Sequence, residues 1–169
     1  MLPGGSMQRK EQGFTLIELM VTMAVMAIIA MMAAPSFSNM ILSQNLNKST
    51  QNLILTLNDV RSKAALERRN IRVDLLINEK QNLPINTDMV VHWKPSGDAI
   101  LSSSAPTSLL FEFNGGVCIP DSGDPVKCLR PIDPNSDVFE ICNKSGGTKS
   151  KIVSISRMGT IQQTTEGTC

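Results

Sequence analysis

Residues 13–35 read GFTLIELMVTMAVMAIIAMMAAP. From Phe14 to Ala34 only Thr15, Glu18 and Thr22 are not apolar, and 21 such residues in one helix reach across a bilayer core of about 30 Å. Arg9 and Lys10 come just before the stretch. By the positive-inside tendency they stay in the cytoplasm and the rest of the chain is sent outward. A cleaved secretory signal would have a shorter apolar stretch and a small-residue cleavage site on its far side, a pattern that Ala33-Ala34-Pro35 fits poorly. Glu18 also argues for a retained, working helix. A charged side chain near the membrane centre costs about 2.5 to 3.5 kcal/mol on insertion scales and less near an interface, so Glu18 calls for a partner cation. Pro35 removes a helix hydrogen bond and crowds the preceding turn, which marks a kink.

Outside this stretch the chain has room for one globular domain, at 169 residues with 41% hydrophobic and 18% charged positions. Lys and Arg total 16 against 15 Asp and Glu, so no whole-chain field draws it to nucleic acid or anionic lipid. Aromatic content of 4%, with no Tyr and one Trp, leaves little for base-stacking platforms. All four Cys lie at or after Cys118. An even count in one half of the chain points to two disulfides and an oxidising compartment, in agreement with the outward topology. There is no CxxC pair and His92 is the single His, so no zinc site is expected. Four Cys permit three pairings. The expected one is Cys118–Cys128, closing a Pro- and Gly-containing loop, with Cys142–Cys169 tying down the tail.

After Pro35, Leu53, Leu57, Val60 and Ala64 recur at spacings of four, three and four, the signature of one helix face. The helix is expected to continue from Ser36 to about Arg69, with Arg61, Lys63, Arg68 and Arg69 complementing its dipole near the end. From Ile71 the pattern changes to short apolar runs: 71–77, 89–94, 99–102, 108–113, 138–142 and 151–155. Turn-rich stretches separate them, among them Pro95–Asp98, Asn114–Gly116, Asp121–Pro125 and Ser145–Gly147. The fold class expected is α+β, a long N-terminal helix packed on an antiparallel β domain. Ser145–Ser150 echoes the end of a phosphate loop but lacks its glycines. It reads as a turn. His92, beside Trp93, has no second His to work with and reads as a packing or surface residue.

The string Gly13-Phe14-Thr15-Leu16-Ile17-Glu18, the basic leader and Pro35 well inside the apolar helix resemble the type III signal of type IV pilins and type II secretion pseudopilins. The resemblance implies that a prepilin peptidase cuts between Gly13 and Phe14 and methylates the new amino group of Phe14. It also implies that Glu18 pairs with an N-terminal amine, its own or a neighbour's, during assembly, and that Pro35 marks a hinge. The implied organisation is a leader at 1–13, a transmembrane and assembly helix at 14–34, an amphipathic continuation at 35–70 and a disulfide-bonded β domain at 71–169. The protein would sit in the bacterial inner membrane by a single pass, with its C-terminal domain in the periplasm, and would pass into an extracellular pilus on assembly.

The stretch from Ile152 to Ile161, together with the layout of helix and short strands, is similar to the GspH/FimT/FimU group of minor pilins and pseudopilins. A FimU-type role is the leading expectation: a structural subunit, not an enzyme, that joins other minor pilins and the major pilin, primes assembly and sits at or near the pilus tip. No cofactor and no metal are implied. The alternatives are a GspH-like pseudopilin of type II secretion and a FimT-like DNA-binding pilin. FimT members bind DNA through a Gly-Arg-x-Arg motif, whereas here Gly159 is followed by Thr160, Ile161 and Gln162. DNA contact could then fall only to Lys149, Lys151 and Arg157.

Overall fold

The computed structural model describes residues 13–169 apart from Pro125, and the side chains of all of these except Ala33, Ala34, Pro35 and Gln163. Residues 1–12 of the expected leader, and the kink expected of the Pro35 side chain, lie outside the described residues. A helix, α1, spans Leu16–Glu67, and the chain divides into two units, one up to Asn39 and the other Met40–Cys169.

Within the second unit the helix buries Leu46, Thr50, Leu53, Leu57, Val60 and Ala64, positions whose spacing alternates between three and four and so keeps one face turned inward. The stripe read from the sequence at Leu53–Ala64 extends a further two turns toward the N-terminus. Each fully buried Leu is worth about 1.5 to 3 kcal/mol over an exposed one. Two hydroxyls share the buried face without cost because both are paired. Thr50 Oγ1 donates to the carbonyl of Leu46 at 2.8 Å; Ser49 Oγ donates to that of Asn45 at 2.7 Å and accepts from the N–H of Ser96 at 2.9 Å. Ser49 thereby fastens the turn after Pro95 to the helix.

Among the described residues nine strands follow: β1 (Ile71–Leu75), β2 (Val90–Trp93), β3 (Ile100–Leu101), β4 (Ser108–Phe111), β5 (Val117–Pro120), β6 (Cys128–Pro131), β7 (Phe139–Cys142), β8 (Ser150–Ile155) and β9 (Ile161–Gly167). They form a five-stranded sheet in the order β2-β1-β4-β5-β6 and a four-stranded sheet in the order β3-β7-β8-β9. The helix stripe, Ile71, Val73, Leu75, Trp93, Leu109 and Phe111 of the first sheet, and Phe139, Ile141, Val153 and Ile155 of the second form one core. The fold is α+β, as expected.

Three features depart from the sequence reading. The sheet is mixed, because β1 and β2 run parallel with Arg72 opposite Val90 and Leu75 opposite Trp93. Residues 76–89 are too long for a hairpin and carry the chain back to start β2 beside β1; a connection of a dozen or more residues makes parallel pairing available. Strands β5, β6 and β9 were not read from the sequence. Last, α1 ends at Glu67 and has no basic residue in its final turn, so the expected dipole compensation by Arg68 and Arg69 is corrected. Arg68 lies just beyond the helix at φ 52°, and the N–H of Arg69 reaches back to the carbonyl of Ala64 at 3.2 Å. That is a Schellman C-cap, with arginine in the left-handed position that glycine usually fills. Arg69 turns back onto Glu67.

The two sheets are sewn together at the β8–β9 turn. The N–H of Val117 donates to the carbonyl of Arg157 at 2.9 Å. Gly159, at φ 71°, lies so close to α1 that a Cβ there would meet Val117 Cγ2 at 2.9 Å and Arg61 Cδ at 3.0 Å. Disulfides join Cys118 to Cys128, bridging β5 and β6, and Cys142 to Cys169, anchoring the chain end after β9 to β7. On β6, the guanidinium of Arg130 grips the buried Asp137 with two bonds of 2.5 and 2.7 Å, and the N–H of Asp133 adds a third at 2.8 Å.

Gly159→Ala should destabilise the protein by about 1 to 3 kcal/mol through both strain and contact, whereas Arg68→Gly should stabilise it by up to about 1 kcal/mol; thermal melts of the detergent-solubilised, oxidised protein separate the two signs. The hydrogen bonds from Arg130 hold the Asp137 carboxyl below its ordinary value. A carboxyl so depressed contributes stability above the unfolded carboxylate range near pH 4, and that contribution is lost as pH falls through its lower folded value. Arg130→Met should therefore lower stability at pH 7 and flatten the acid limb of a melting-temperature profile below pH 4.

Candidate functional site

Gly13 and Phe14 precede the helix and Thr15 caps it. The N–H of Glu18 donates to Thr15 Oγ1 at 3.3 Å and the N–H of Leu19 to the Thr15 carbonyl at 3.2 Å. Thr15 is the N-cap and Glu18 the third helical residue, the T-x-x-E arrangement that starts helices. Sequence reasoning passed over Thr15, although the capping pattern was present in the string. The cap also answers part of the question posed by Glu18. In the first turn a carboxylate faces unpaired N–H groups and the positive end of the helix dipole, worth about 0.3 to 1 kcal/mol at an exposed site. That offsets only a fraction of the cost of placing it in hydrocarbon. Among the described residues no cation lies within ion-pair distance of Glu18.

On both sides of Glu18, from Leu16 to Met32, the helix is apolar around its circumference and uncovered among the described residues. Leu16, Ile17, Met20, Met23, Met26, Ile28 and Met32 are all exposed, and Phe14 is 84% exposed. Thr22 hides its hydroxyl by donating to the carbonyl of Leu19 at 2.9 Å. A helix that is hydrophobic all round is made to be surrounded by lipid or by other helices. Among the described residues no single helix is long and apolar enough to cross a membrane; Leu16–Met32 and Ser36–Glu67 meet that measure only as a pair. The expected span Phe14–Ala34 runs into residues whose side chains lie outside those described.

The other sequence candidates are dispersed. Lys149 and Lys151 line a cleft of about 220 Å³ between α1 and the end of β8, with Ser43, Asn47 and Glu166. Arg157 lies in the β8–β9 turn, past the other end of β8; the strand from Lys151 to Ile155 alone spans about 13 Å at 3.3 Å per residue. The three do not form one basic patch, and Glu166 shares the lysine cleft. His92 on β2 faces Asp74 on β1, with Nδ1 3.8 Å from Asp74 Oδ2, and Arg72 Nε holds the same carboxylate at 2.5 Å. Trp93 is a core residue, 2% exposed. Glu140, Cys142 and Cys169 converge within 4.8 Å. They are no metal set: the sulfurs are bonded to each other and Glu140 accepts from Ser150 Oγ at 2.7 Å. Ser145–Ser150 runs through the β7–β8 turn into the first residue of β8 and opens no helix, which removes the anion-binding geometry of a phosphate loop.

A family model for the prokaryotic N-terminal methylation motif matches residues 8–34. No curated protein and no solved structure matches the chain. The matched segment contains Gly13, Phe14, the Thr15 cap, Glu18 and the uncovered apolar helix. It supports a type IV pilin-like protein held in the membrane through that helix.

Proposed function

We propose that the chain is a minor pilin of a type IV pilus, a structural subunit rather than an enzyme, which joins other minor pilins in the inner membrane, primes filament assembly and sits at or near the tip. The observation that carries this reading is the head of α1: a methylation motif whose Glu18 is placed in the first turn of a helix that the described residues leave bare from Leu16 to Met32. A helix end of that kind asks for two things from outside, an apolar surround and a cation at the level of Glu18. A bundle of identical or related helices supplies both. The methylated amino group of Phe14 after removal of residues 1–13, on this chain or on its neighbour, is the cation the reading assigns to Glu18. Two charges in a low dielectric are tolerable only when paired, so the pair sets the register in which one subunit docks on the next.

Prepilin peptidase processes the chain between Gly13 and Phe14 in this account, and the β unit in the periplasm presents lateral surfaces to the other subunits. The separation of Arg157 from Lys149 and Lys151 lowers the DNA-receptor reading, since phosphate affinity depends on cations acting together on one backbone.

Glu18→Ala should reduce the amount of the protein in sheared filaments by about tenfold, the worth of roughly 1.4 kcal/mol of lost pairing, while both disulfides still form. Normal incorporation would sink the register role. Gly13→Leu should leave the leader attached, visible as a slower-migrating precursor in the membrane fraction; wild-type processing of that variant would remove the cleavage assignment. Deletion of the gene should collapse surface piliation, and complementation should restore it, whereas unchanged piliation with lost exoprotein secretion would move the protein to a type II secretion pseudopilus.

A further inference from the structure

The two sheets have four edge strands, β2 and β6 in one and β3 and β9 in the other. An edge strand offers unpaired backbone groups to any extended segment, and proteins guard such edges. Three of the four are guarded here. On β2 the chain's own preceding turn occupies the edge: Val90 exchanges bonds with Thr87, its N–H donating to Thr87 Oγ1 at 3.0 Å and its carbonyl accepting from the Thr87 N–H at 2.9 Å, and the N–H of His92 donates to Asn86 Oδ1 at 2.8 Å. β6 ends in Pro131, which has no N–H, and carries the Arg130–Asp137 clamp. β3 is two residues long, and the N–H of Leu101 is taken by the carbonyl of Ile77.

Among the described residues β9 shows none of these devices. It is seven residues long and contains no proline and one charge, Glu166. Gln162, Thr164, Thr165 and Glu166 are exposed, so packing contributes little to its place in the sheet. An irregularity in its pairing between Val153 and Ile155 confines the regular ladder to Thr164–Gly167, held at its far end by the Cys142–Cys169 bond. The direction of each backbone group follows from the alternation of an antiparallel ladder. The N–H of Asn143 donates to the carbonyl of Lys149 at 2.9 Å, so Lys149, Lys151 and Val153 turn their backbone groups to β7, and Ser150 and Ile152 turn theirs to β9. Gly167 and Thr165, opposite them, point inward. Thr164 and Glu166 point their N–H and carbonyl groups outward.

We propose that this outer edge is a homotypic docking edge, on which a second copy of the chain adds its own β9 antiparallel about a two-fold axis through Thr165. In that register Thr164 of one copy lies opposite Glu166 of the other, twice over, and each pair exchanges two backbone hydrogen bonds. Thr165 meets Thr165 on the axis, a favourable cross-strand neighbour, and the one charge of the strand never meets its own copy. The alternative that places Glu166 opposite Glu166 sets like charges directly across the ladder, which is destabilising. The segment thus meets every demand its own edge makes of a partner: extended, proline-free and without a like-charge clash. The result is an isologous, self-complementary contact. Its small size places it among weak, concentration-dependent interfaces. It holds whether or not the chain enters a filament.

The test uses the full-length protein in detergent micelles with photoreactive benzoylphenylalanine at Thr165, and the same group at Thr87 on the guarded β2 edge as a control for shared micelles. Thr165 should yield a cross-linked dimer about tenfold above the Thr87 control. Glu166→Pro removes one outward N–H and leaves the β8 ladder intact; it should return the yield to the control level with an unchanged melting temperature. Thr164→Pro removes the other outward N–H and should do the same, so a fold defect in one variant does not decide the outcome. Equal yields at Thr165 and Thr87, or a dimer that persists in both folded proline variants, would overturn the proposal.

Discussion

The structure depends on how one helix has its apolar surface covered. Between Leu46 and Ala64 the cover is internal: a stripe at alternating spacings of three and four closes against both sheets, and every large side chain in it is buried. Between Leu16 and Met32 nothing in the described chain covers the helix, and apolar residues are exposed on every side. The hydrophobic effect penalises such a surface in water by about 25 cal/mol per Å², so lipid or other helices must complete it. Everything proposed about function follows from that deficit, with Glu18 as the one charged residue between Leu16 and Met32 to align the completing surface.

The second unit, Met40–Cys169, has a hydrophobic core of its own. Its core draws on the helix and both sheets, and short polar links hold the pieces in place: Ser49 to the turn after Pro95, Val117 to the β8–β9 turn, Arg130 to Asp137. Each disulfide ties a buried strand cysteine, Cys118 of β5 or Cys142 of β7, to a more exposed segment, β6 or the residues after β9. Crosslinks of this kind act mainly by restricting the unfolded chain, which suits segments such as β9 that bury almost nothing.

How much was legible in the sequence follows from which physical signal each element carries. The helix stripe and strands β1, β2, β4, β7 and β8 bury apolar side chains, and burial leaves a periodicity that can be read. β5 and β6 are four residues each and contain Pro120 and Pro131, residues that demote a strand in any propensity reading. β9 reads Ile-Gln-Gln-Thr-Thr-Glu-Gly and is held by backbone bonds, which leave no trace in side-chain pattern. The parallel direction of β2 is set by the path of residues 76–89, and hydrophobicity carries no information about direction. Arg68 in a left-handed cap was invisible for the opposite reason, since arginine advertises no such conformation. At the functional end, the string from Gly13 to Glu18 falls within the matched methylation motif, while the capping role of Thr15 was written in the same six residues and overlooked.

The central claim is that Phe14 becomes the head of a retained, uncovered assembly helix. The most direct measurement is the intact mass of the protein purified from its host membrane under non-reducing conditions. The account predicts a chain of residues 14–169 carrying one added methyl group on its N-terminal residue and lacking the four hydrogens lost to two disulfides. A mass that begins at Met1, or one that begins beyond Ala34 with the apolar helix removed, would contradict it.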